Sequence, residues 1–169
     1  GIPMLRTVDF KEVGRASTQI LKVSEEISNS SKSTILNGDE IIMSVMGTLG
    51  RTYKVPKEWK GWNVNRALAV IRTNEIINKD YLCHLIRSSF FKNQITRRSI
   101  GSAQIRINLS DLRKYNLPLP PLFEQQKIAD ILSEADTKIE KEEQEKAKLE
   151  ELKKGLMQQL LTGKKRVKV

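Results

Sequence analysis

Four carboxylates near the start of the chain are the residues whose types come closest to a catalytic metal site. Asp9, Glu12, Asp39 and Glu40 could hold Mg²⁺ for phosphodiester hydrolysis, because hydrolytic metal centres are built from clustered oxygen ligands. These acids and the lysines near them do not form the pattern of a metal-dependent nuclease centre. Dispersed surface acids are the commoner explanation for such a set, so we interpret the four as surface residues.

The single cysteine and the single histidine are adjacent, at Cys83 and His84. One cysteine excludes an internal disulfide framework, one histidine excludes a zinc-type ligand set, and few thiols suit a reducing compartment. Both residues lie in the helix-like segment DYLCHLIRSSFFKNQI, which predicts a buried thiol and a half-exposed imidazole. No apolar run approaches the ~20 residues needed to cross a bilayer, so we expect a cytoplasmic chain with no membrane partner.

Sequence motifs for nucleotide and cofactor chemistry are missing. The chain has no GxxxxGKS or GxxxxGKT phosphate-binding loop and no glycine-rich turn suited to S-adenosylmethionine. The segment PLPP lacks the polar residue that an amino-methyltransferase places before its prolines to hold a flipped base. The sequence therefore predicts recognition rather than catalysis, with no metal or cofactor of its own.

The positive charge is concentrated in the first part of the chain. Of a formal net charge of +10, residues 1–122 carry 19 Lys or Arg against 10 Asp or Glu, which is +9, and residues 123–169 carry 11 against 10. A domain with this excess attracts polyanions, because each phosphate it neutralises releases counterions. An aromatic content of 5% argues against a single-strand binder built on stacked bases. Duplex DNA or structured RNA fits better, and an ordinary basic surface remains an alternative.

Residues 1–119 mix strand and helix signals, so we predict an α+β domain. Short apolar runs predict strands in the segments IPML, QILKV, EIIMSV, TYKV and NRALAVIRT. Alternating apolar residues predict another strand over 105–109, and Ser110 is the expected N-cap of a short helix over 111–114. A spacing near 3.6 predicts one helix over 79–98, with an apolar face at Leu82, Leu85, Ile86, Phe90 and Ile95.

After Pro120 and Pro121 the composition changes to an almost uninterrupted succession of Glu, Lys, Gln, Leu and Ile. Proline suits the first turn of a helix, where its missing N–H is not needed, and Glu124 lies where the helix dipole favours an anion. The only glycine between residues 123 and 161, Gly155, costs about 1 kcal/mol relative to alanine. We predict one helix over 123–161, about 58 Å long at 1.5 Å per residue.

The apolar residues of this helix follow a heptad-like stripe that is polar in its middle, at Glu142 and Lys146. A lone helix so charged is marginal in water, so we expect a second long helix as its partner; a solvated stalk is the alternative. The stripe consists of Ile128, Leu132, Ala135, Ile139, Leu149, Leu152, Leu156 and Leu160. The predicted organisation is a recognition domain over 1–119, a coiled-coil-type helix over 120–163 and a basic tail over 164–169.

The junction LPLPPLFEQQKIADILSEADTKI and the ending LEELKKGLMQQLLTGKKRVKV resemble the specificity subunit, HsdS, of type I restriction–modification systems. The proline pair followed by EQ and a long helix is the specific part. Upstream phrases such as NGDEIIMSVMGTLGRTYKV and GSAQIRINLSDLRKYNLPLPP are similar to the scaffold of its target-recognition domain. The resemblance covers nearly the whole chain.

The resemblance implies a non-catalytic, DNA-reading role. Family members normally carry two recognition domains and two antiparallel helices that set the spacing of two DNA half-sites. They bring methyltransferase subunits, which use S-adenosylmethionine, and ATP- and Mg²⁺-dependent restriction subunits. This sequence has one such domain and one helix, so we expect either half of a longer subunit or a natural half-subunit that pairs with a second half or as a homodimer.

Candidate DNA-binding residues follow from this resemblance and from side-chain chemistry, since Arg, Lys, Gln, Ser and Thr read base edges and lysines hold phosphates. The base-reading candidates are Arg51, Thr52, Tyr53, Lys54, Arg97, Arg98, Ser102, Gln104 and Arg106, and the phosphate-binding candidates are Lys57, Lys60 and Arg66. Each is also compatible with an ordinary surface charge, and Tyr53 with a core position. A coiled-coil DNA-binding regulator outside restriction, and a nuclease with an unrecognised site, are the competing interpretations.

Overall fold

A computed structural model describes residues 1–11, 20–98 and 106–167. The chain separates into two compact units, Gly1–Ala129 and Asp130–Val169. Among its described residues, the first unit contains two three-stranded sheets and four short α-helices. As the sequence predicts, this mixed domain is followed by a long C-terminal helix.

Each sheet has a central strand that forms hydrogen bonds with two neighbours. In the first sheet, β1 (Ile2–Leu5) pairs antiparallel with β2 (Leu21–Val23) and parallel with β5 (Asn63–Val64). In the second, β3 (Ile41–Ser44) pairs antiparallel with β4 (Thr52–Lys54) and with β6 (Leu68–Ile71). All five of the apolar segments in which the sequence predicts strands contain one.

The centre of the domain is β3, which is buried along its whole length. Successive side chains of a strand point to opposite faces, so Ile41 and Met43 enter one apolar cluster and Ile42 enters another. The first cluster packs β3 against helices, and the second packs it toward the first sheet. This two-sided burial explains why the sequence of β3 is a continuous apolar run rather than an alternating one.

The predicted helix over 79–98 is interrupted, which corrects the sequence-based expectation. Two helices occupy it, α2 (Lys79–Arg87) and α3 (Ser89–Arg98), and Ser88 between them has an extended ψ of 159°. The Ser88 hydroxyl donates to the carbonyl of Leu85 at 2.6 Å and accepts from the N–H of Phe91 at 3.4 Å. Ser88 therefore closes one helix and caps the next.

The break at Ser88 also changes which phenylalanine is buried. The unbroken periodicity predicts Phe90 in the core, but Phe90 is 48% exposed and Phe91 is 2% exposed. Phe91 packs edge-on against Tyr115, with ring centroids 5.2 Å apart. The prediction was wrong because a kink resets the phase of the helical face.

The segment before the junction also differs from the prediction. Leu109 does not lie in a strand but begins α4 (Leu109–Leu112), whose N-cap is Asn108 rather than Ser110. Within the described residues of this segment, the pairing reduces to an isolated bridge between Met46 and Arg106. Ile105 lies outside the described residues. A short helix α1 (Glu25–Asn29), capped by the Ser24 side chain, was not predicted.

The long helix α5 (Leu122–Leu160) agrees with the predicted range 123–161 to within one residue at each end. At its start, the N–H groups of Glu124 and Gln125 donate to the carbonyl of Pro121. It ends where Gly163 adopts a positive φ of 73° and donates its N–H to the carbonyl of Leu160 at 3.2 Å. Glycine adopts this left-handed conformation without a Cβ clash, so the stop is encoded locally.

Candidate nucleic-acid interface

Three separate segments of the chain meet at Val45, directly after β3. The Val45 N–H donates to the carbonyl of Ala67, and its carbonyl accepts from the N–H of Ile107, each at 2.9 Å. The next residue, Met46, forms the isolated bridge with Arg106. Residues from the β5–β6 connection and from the segment before α4 are therefore held side by side by backbone hydrogen bonds.

This junction forms a concave surface with a cavity of about 430 Å³ in which two arginines face the same space. Arg66 and Arg106 are both exposed, and no described acid lies within 4.0 Å of either guanidinium. The other lining residues are Val45, Met46, Ile107, Asn108 and Leu109. Two guanidinium groups beside an amide provide the donors that bind guanine edges or phosphate oxygens.

The turn between β3 and β4 is held by one buried serine. The Ser44 hydroxyl donates to the carbonyl of Thr48 and accepts from the N–H of Arg51 at 2.9 Å, and the Ser44 carbonyl accepts from the N–H of Gly50. Gly47 and Gly50 both have a positive φ, which explains why glycine occupies both positions. Arg51 is exposed and lies in this hydrogen-bonded turn, which begins at the end of β3 beside Val45.

The family model for the type I restriction modification DNA specificity domain matches residues 1–151. This chain belongs to that family. The MjaVIII specificity subunit of Methanocaldococcus jannaschii is 40% identical over 95 residues, which are 56% of this chain and 22% of that subunit. A putative MjaX specificity subunit from the same organism is 33% identical over 135 residues, which are 79% of this chain and 31% of that subunit.

Solved structures show the same fold. An HsdS subunit from Thermoanaerobacter tengcongensis is similar to 73% of this chain, with a TM-score of 0.57 and 25% identity, over 33% of that subunit. A chain from a study of type I R-M assembly and conformational transition is similar over 94% of this chain and 38% of its own, with a TM-score of 0.66 and 18% identity. This specificity-domain chain thus spans only 22 to 38% of the length of each of these four proteins.

A second basic cluster lies at the end of β4 opposite Arg51 and consists of Lys54, Lys57 and Lys79. Two carboxylates largely neutralise its charge. Lys54 pairs with Asp80 at 2.6 Å, and Lys79 pairs with Asp39. The hydrogen bond and charge of Lys79 lower the pKa of Asp39, and the charges of Lys57 and Lys54 lower it further. Because these cations share two carboxylates, the cluster offers a weaker field to a polyanion than the concavity at Val45.

Thr52 is buried, and Tyr53 is half-buried against the apolar cluster that contains Ile42. Thr52 is 6% exposed, its hydroxyl accepts from Arg87 at 3.0 Å, and its carbonyl accepts from the same guanidinium at 3.2 Å. Tyr53 stacks on Trp59 at 5.3 Å, and Trp59 stacks on Trp62 at 4.8 Å. Burial, followed by the charge of Glu58, raises the pKa of Tyr53. Tyr53 thus packs against the core through one side of its ring while remaining partly exposed.

The remaining candidates are only partly described. Arg97 is exposed near the end of α3, and Lys60 is exposed directly after a short 3-10 helix, Lys57–Trp59. Ser102 and Gln104 lie outside the described residues, as does the side chain of Arg98. The structure therefore brings Arg66 and Arg106 together. Arg51 lies in the β3–β4 turn, which follows the same end of β3.

Two residues that the structure makes notable, Asn108 and Gln125, were not among the residues predicted from the sequence. Asn108 lines the arginine concavity, and its position before an apolar residue and three residues ahead of Asp111 is an N-cap signal. Gln125 is 1% exposed, although glutamine at a helix start is normally solvated. The EQ that follows the double proline was the available signal for Gln125.

Gln125 joins the start of α5 to the body of the domain. Its Nε2 donates to the carbonyls of Ile76 and Pro120 at 3.0 and 2.8 Å, and its Oε1 accepts from the N–H of Asn78 at 2.9 Å. The Asn78 side chain in turn caps α2 by accepting from the N–H of Tyr81 at 2.9 Å. One amide thereby connects the first turns of two helices.

Of the four carboxylates considered first, the structure describes Asp9, Asp39 and Glu40. No group of three or more His, Cys, Asp or Glu side chains among the described residues could hold a metal ion. Asp9 accepts from the N–H and guanidinium of Arg6, and Glu40 accepts from the N–H of Asn37 at 2.7 Å. Glu12 lies outside the described residues.

In the part of the chain that the structure covers, no helix is both long and apolar enough to span a membrane.

Cys83 is buried and His84 is half-buried, as predicted. Burial raises the pKa of the Cys83 thiol, an effect that a hydrogen bond with Thr52 partly opposes. We expect a disulfide reagent such as DTNB to modify Cys83 roughly 100-fold more slowly in the native chain than in urea, because the thiolate is scarce and shielded. Stopped-flow absorbance under both conditions tests this, and equal rates would show an accessible thiol.

Proposed function

We propose that this chain is the DNA-reading part of a type I specificity subunit and recognises one half of a bipartite target. The observation that carries the proposal is the convergence of Arg66 and Arg106 on one concave surface of a specificity domain. Both guanidiniums are exposed and no described acid pairs with them, so they are available to a polyanion. The charge of +9 on residues 1–122 favours the same partner.

The concave surface supports both tasks that a DNA reader must perform. Arg106 and Asn108 are the candidates for base edges, since arginine donates two hydrogen bonds to guanine and asparagine pairs with adenine. Arg66 is a candidate for a phosphate, which fixes the position of the domain without specifying sequence. Arg51, on the rigid turn, is a further candidate for a base.

Catalysis in this proposal belongs to partner subunits. The chain would bring methyltransferase subunits, which use S-adenosylmethionine, and through the complex restriction subunits, which use ATP and Mg²⁺. The absence of a phosphate-binding loop and of a cofactor-binding turn from the sequence supports a non-catalytic role. The exposed apolar stripe of α5 supports a second long helix as a further partner, from another half-subunit or from a second copy of this chain.

The proposal is tested by asking the purified chain to select a sequence. Duplexes with a random 30-base-pair region are enriched on the chain, alone and with its methyltransferase partner, and the bound pool is sequenced. We expect a common motif in the selected pool. A pool with no shared motif under both conditions would overturn the proposal.

Two substitutions then separate base contacts from phosphate contacts. We expect Arg51→Ala to weaken binding to the selected duplex by about 5- to 100-fold while leaving a scrambled duplex unaffected, because a lost base contact costs ~1–3 kcal/mol. Arg66→Ala should weaken binding to both duplexes alike and flatten the salt dependence. Fluorescence anisotropy at several salt concentrations measures both effects. Equal losses on the two duplexes for Arg51→Ala would remove the base-reading assignment.

A further inference from the structure

Arg66 lines a second concavity besides the one that it shares with Arg106. This second cavity has a volume of about 420 Å³, and we call it the isoleucine concavity after Ile27, which is 55% exposed. Met4 of β1 and Val64 of β5 add further apolar side chains to its lining. One arginine therefore belongs both to a cationic concavity and to an apolar one.

Two of the hydroxyl groups that line the isoleucine concavity are used in local hydrogen bonds. The lining includes Ser30, Ser31 and Thr34. The Ser30 hydroxyl donates to the carbonyl of Ile27, and the Thr34 hydroxyl donates to the carbonyl of Ser31, each at 2.7 Å. Because backbone carbonyls occupy these two donors, the concavity suits an apolar group better than its serine-rich sequence indicates.

Ile27 is held in place although its side chain is exposed. Its N–H donates to the Ser24 hydroxyl at 3.3 Å, and the next residue, Ser28, is fully buried. Asn63 Nδ2 donates to the carbonyl and to the hydroxyl of Ser28, at 3.2 and 3.1 Å. These buried bonds attach α1 to β5, which ends two residues before Arg66. The backbone that carries Ile27 is therefore fixed relative to the segment that carries Arg66.

A single exposed isoleucine on a protein surface needs no functional explanation by itself. Ile27 differs because it is fixed in a concavity shared with an exposed arginine, and no described acid lies within 4.0 Å of that guanidinium. In the major groove of a duplex, the base pairs present hydrogen-bonding groups and one apolar group, the C5-methyl of thymine. An apolar surface next to a phosphate-binding arginine thus matches thymine better than the other three bases.

We propose that the isoleucine concavity receives the C5-methyl group of a thymine in the target half-site, with Ile27 as the contact, while Arg66 holds a neighbouring phosphate. The inference rests on the proposed function, since it requires a bound duplex. It makes Ile27 a specificity-determining residue and adds a base to those that Arg51, Arg106 and Asn108 are candidates to read.

Uracil substitution tests the methyl contact without changing base pairing. Deoxyuridine pairs as thymidine does and keeps the O4 acceptor, but it lacks the C5-methyl. Each thymine of the selected duplex is replaced in turn, and fluorescence anisotropy at fixed salt gives the dissociation constants. We expect the selected motif to contain a thymine whose replacement weakens binding by the wild-type chain about 3- to 10-fold, the magnitude of one buried methyl group.

Substitutions at Ile27 assign that methyl contact to the concavity. Ile27→Ala should bind the thymine duplex about 3- to 10-fold more weakly and should no longer distinguish thymine from uracil at that position. Ile27→Val keeps a branched apolar side chain and should retain most of the discrimination. Ile76→Ala is the matched control, since Ile76 is 62% exposed and lines neither concavity. It should change neither affinity by more than about twofold.

The uracil scan uses the wild-type chain, so it decides the question even where a variant is poorly folded, which circular dichroism reveals. A selected motif without thymine, or one in which every uracil replacement is neutral, would overturn the inference and leave the proposed function standing. Discrimination that persists in a folded Ile27→Ala variant would show that the methyl group is read elsewhere. A selection that yields no common motif would sink the proposed function together with this inference.

Discussion

Replacing Gln125 with alanine is expected to lower the free energy of unfolding by about 3 kcal/mol. The substitution removes three hydrogen bonds at a site that is 1% exposed and leaves the Asn78 N–H and the carbonyls of Ile76 and Pro120 without this partner. Each buried group left unpaired costs ~1 kcal/mol or more. Urea unfolding followed by circular dichroism and by tryptophan fluorescence measures the loss, and the fluorescence reports the domain that holds Trp59 and Trp62.

Two variants sharpen this prediction. Gln126→Ala removes an exposed hydrogen bond, which the Gln126 side chain accepts from the Asn78 side chain, so it should cost less than about 1 kcal/mol. Gln125→Glu keeps the size of the side chain but faces an ionised carboxylate toward two carbonyl oxygens, so its loss should exceed that of alanine at neutral pH and shrink as the acid becomes protonated. An alanine variant as stable as wild type would show that the amide does not hold the helix start.

Arg106→Ala is expected to weaken binding to the selected duplex by about 10- to 100-fold, the magnitude of one lost bidentate base contact. The Met46–Arg106 bridge is made by backbone atoms, so the substitution should leave the concavity in place. Arg106→Lys keeps the charge but cannot form the same two hydrogen bonds, so it should lose affinity for the selected duplex and little for a scrambled one. Anisotropy titrations on both duplexes at fixed salt measure the difference.

Lys92→Ala is the control, since Lys92 is an exposed lysine on α3 that does not line the arginine concavity. It should change neither affinity by more than about twofold. If Arg106→Lys binds the selected duplex as well as wild type does, Arg106 contacts a phosphate rather than a base. The same affinity for Arg106→Ala would remove Arg106 from the interface.

Predictions from the sequence succeeded where the signal was local. The ends of α5 agree to within one residue, because the prolines before it and Gly163 after it act on their own turns of the chain. Local periodicity failed at Phe90, because the Ser88 side chain bonded to neighbouring backbone and divided one apparent helix into two. A serine can either continue a helix or cap one, and only packing of Phe91 against Tyr115 decides between them.

The candidate site was likewise predictable only in part, because its residues are local signals but their assembly is not. Composition and motif predicted a basic DNA reader and named Arg66 and Arg106 among twelve candidates, but these two lie forty positions apart in the sequence. Their meeting depends on the hydrogen bonds of Val45 to Ala67 and Ile107, which no local pattern encodes. The pairing of Lys54 and Lys79 with Asp80 and Asp39 is equally non-local. A count of charges in the sequence therefore overestimated the positive field of that cluster.

The sequence by itself determined the family, the balance of charge, the position of the junction and the course of the long helix, because each is carried by neighbouring residues. Only the tertiary structure decided which arginines share a surface, which phenylalanine is buried and why the junction carries a buried glutamine. Those outcomes depend on backbone and side-chain hydrogen bonds between segments distant in sequence, and such bonds form only when the whole domain has packed.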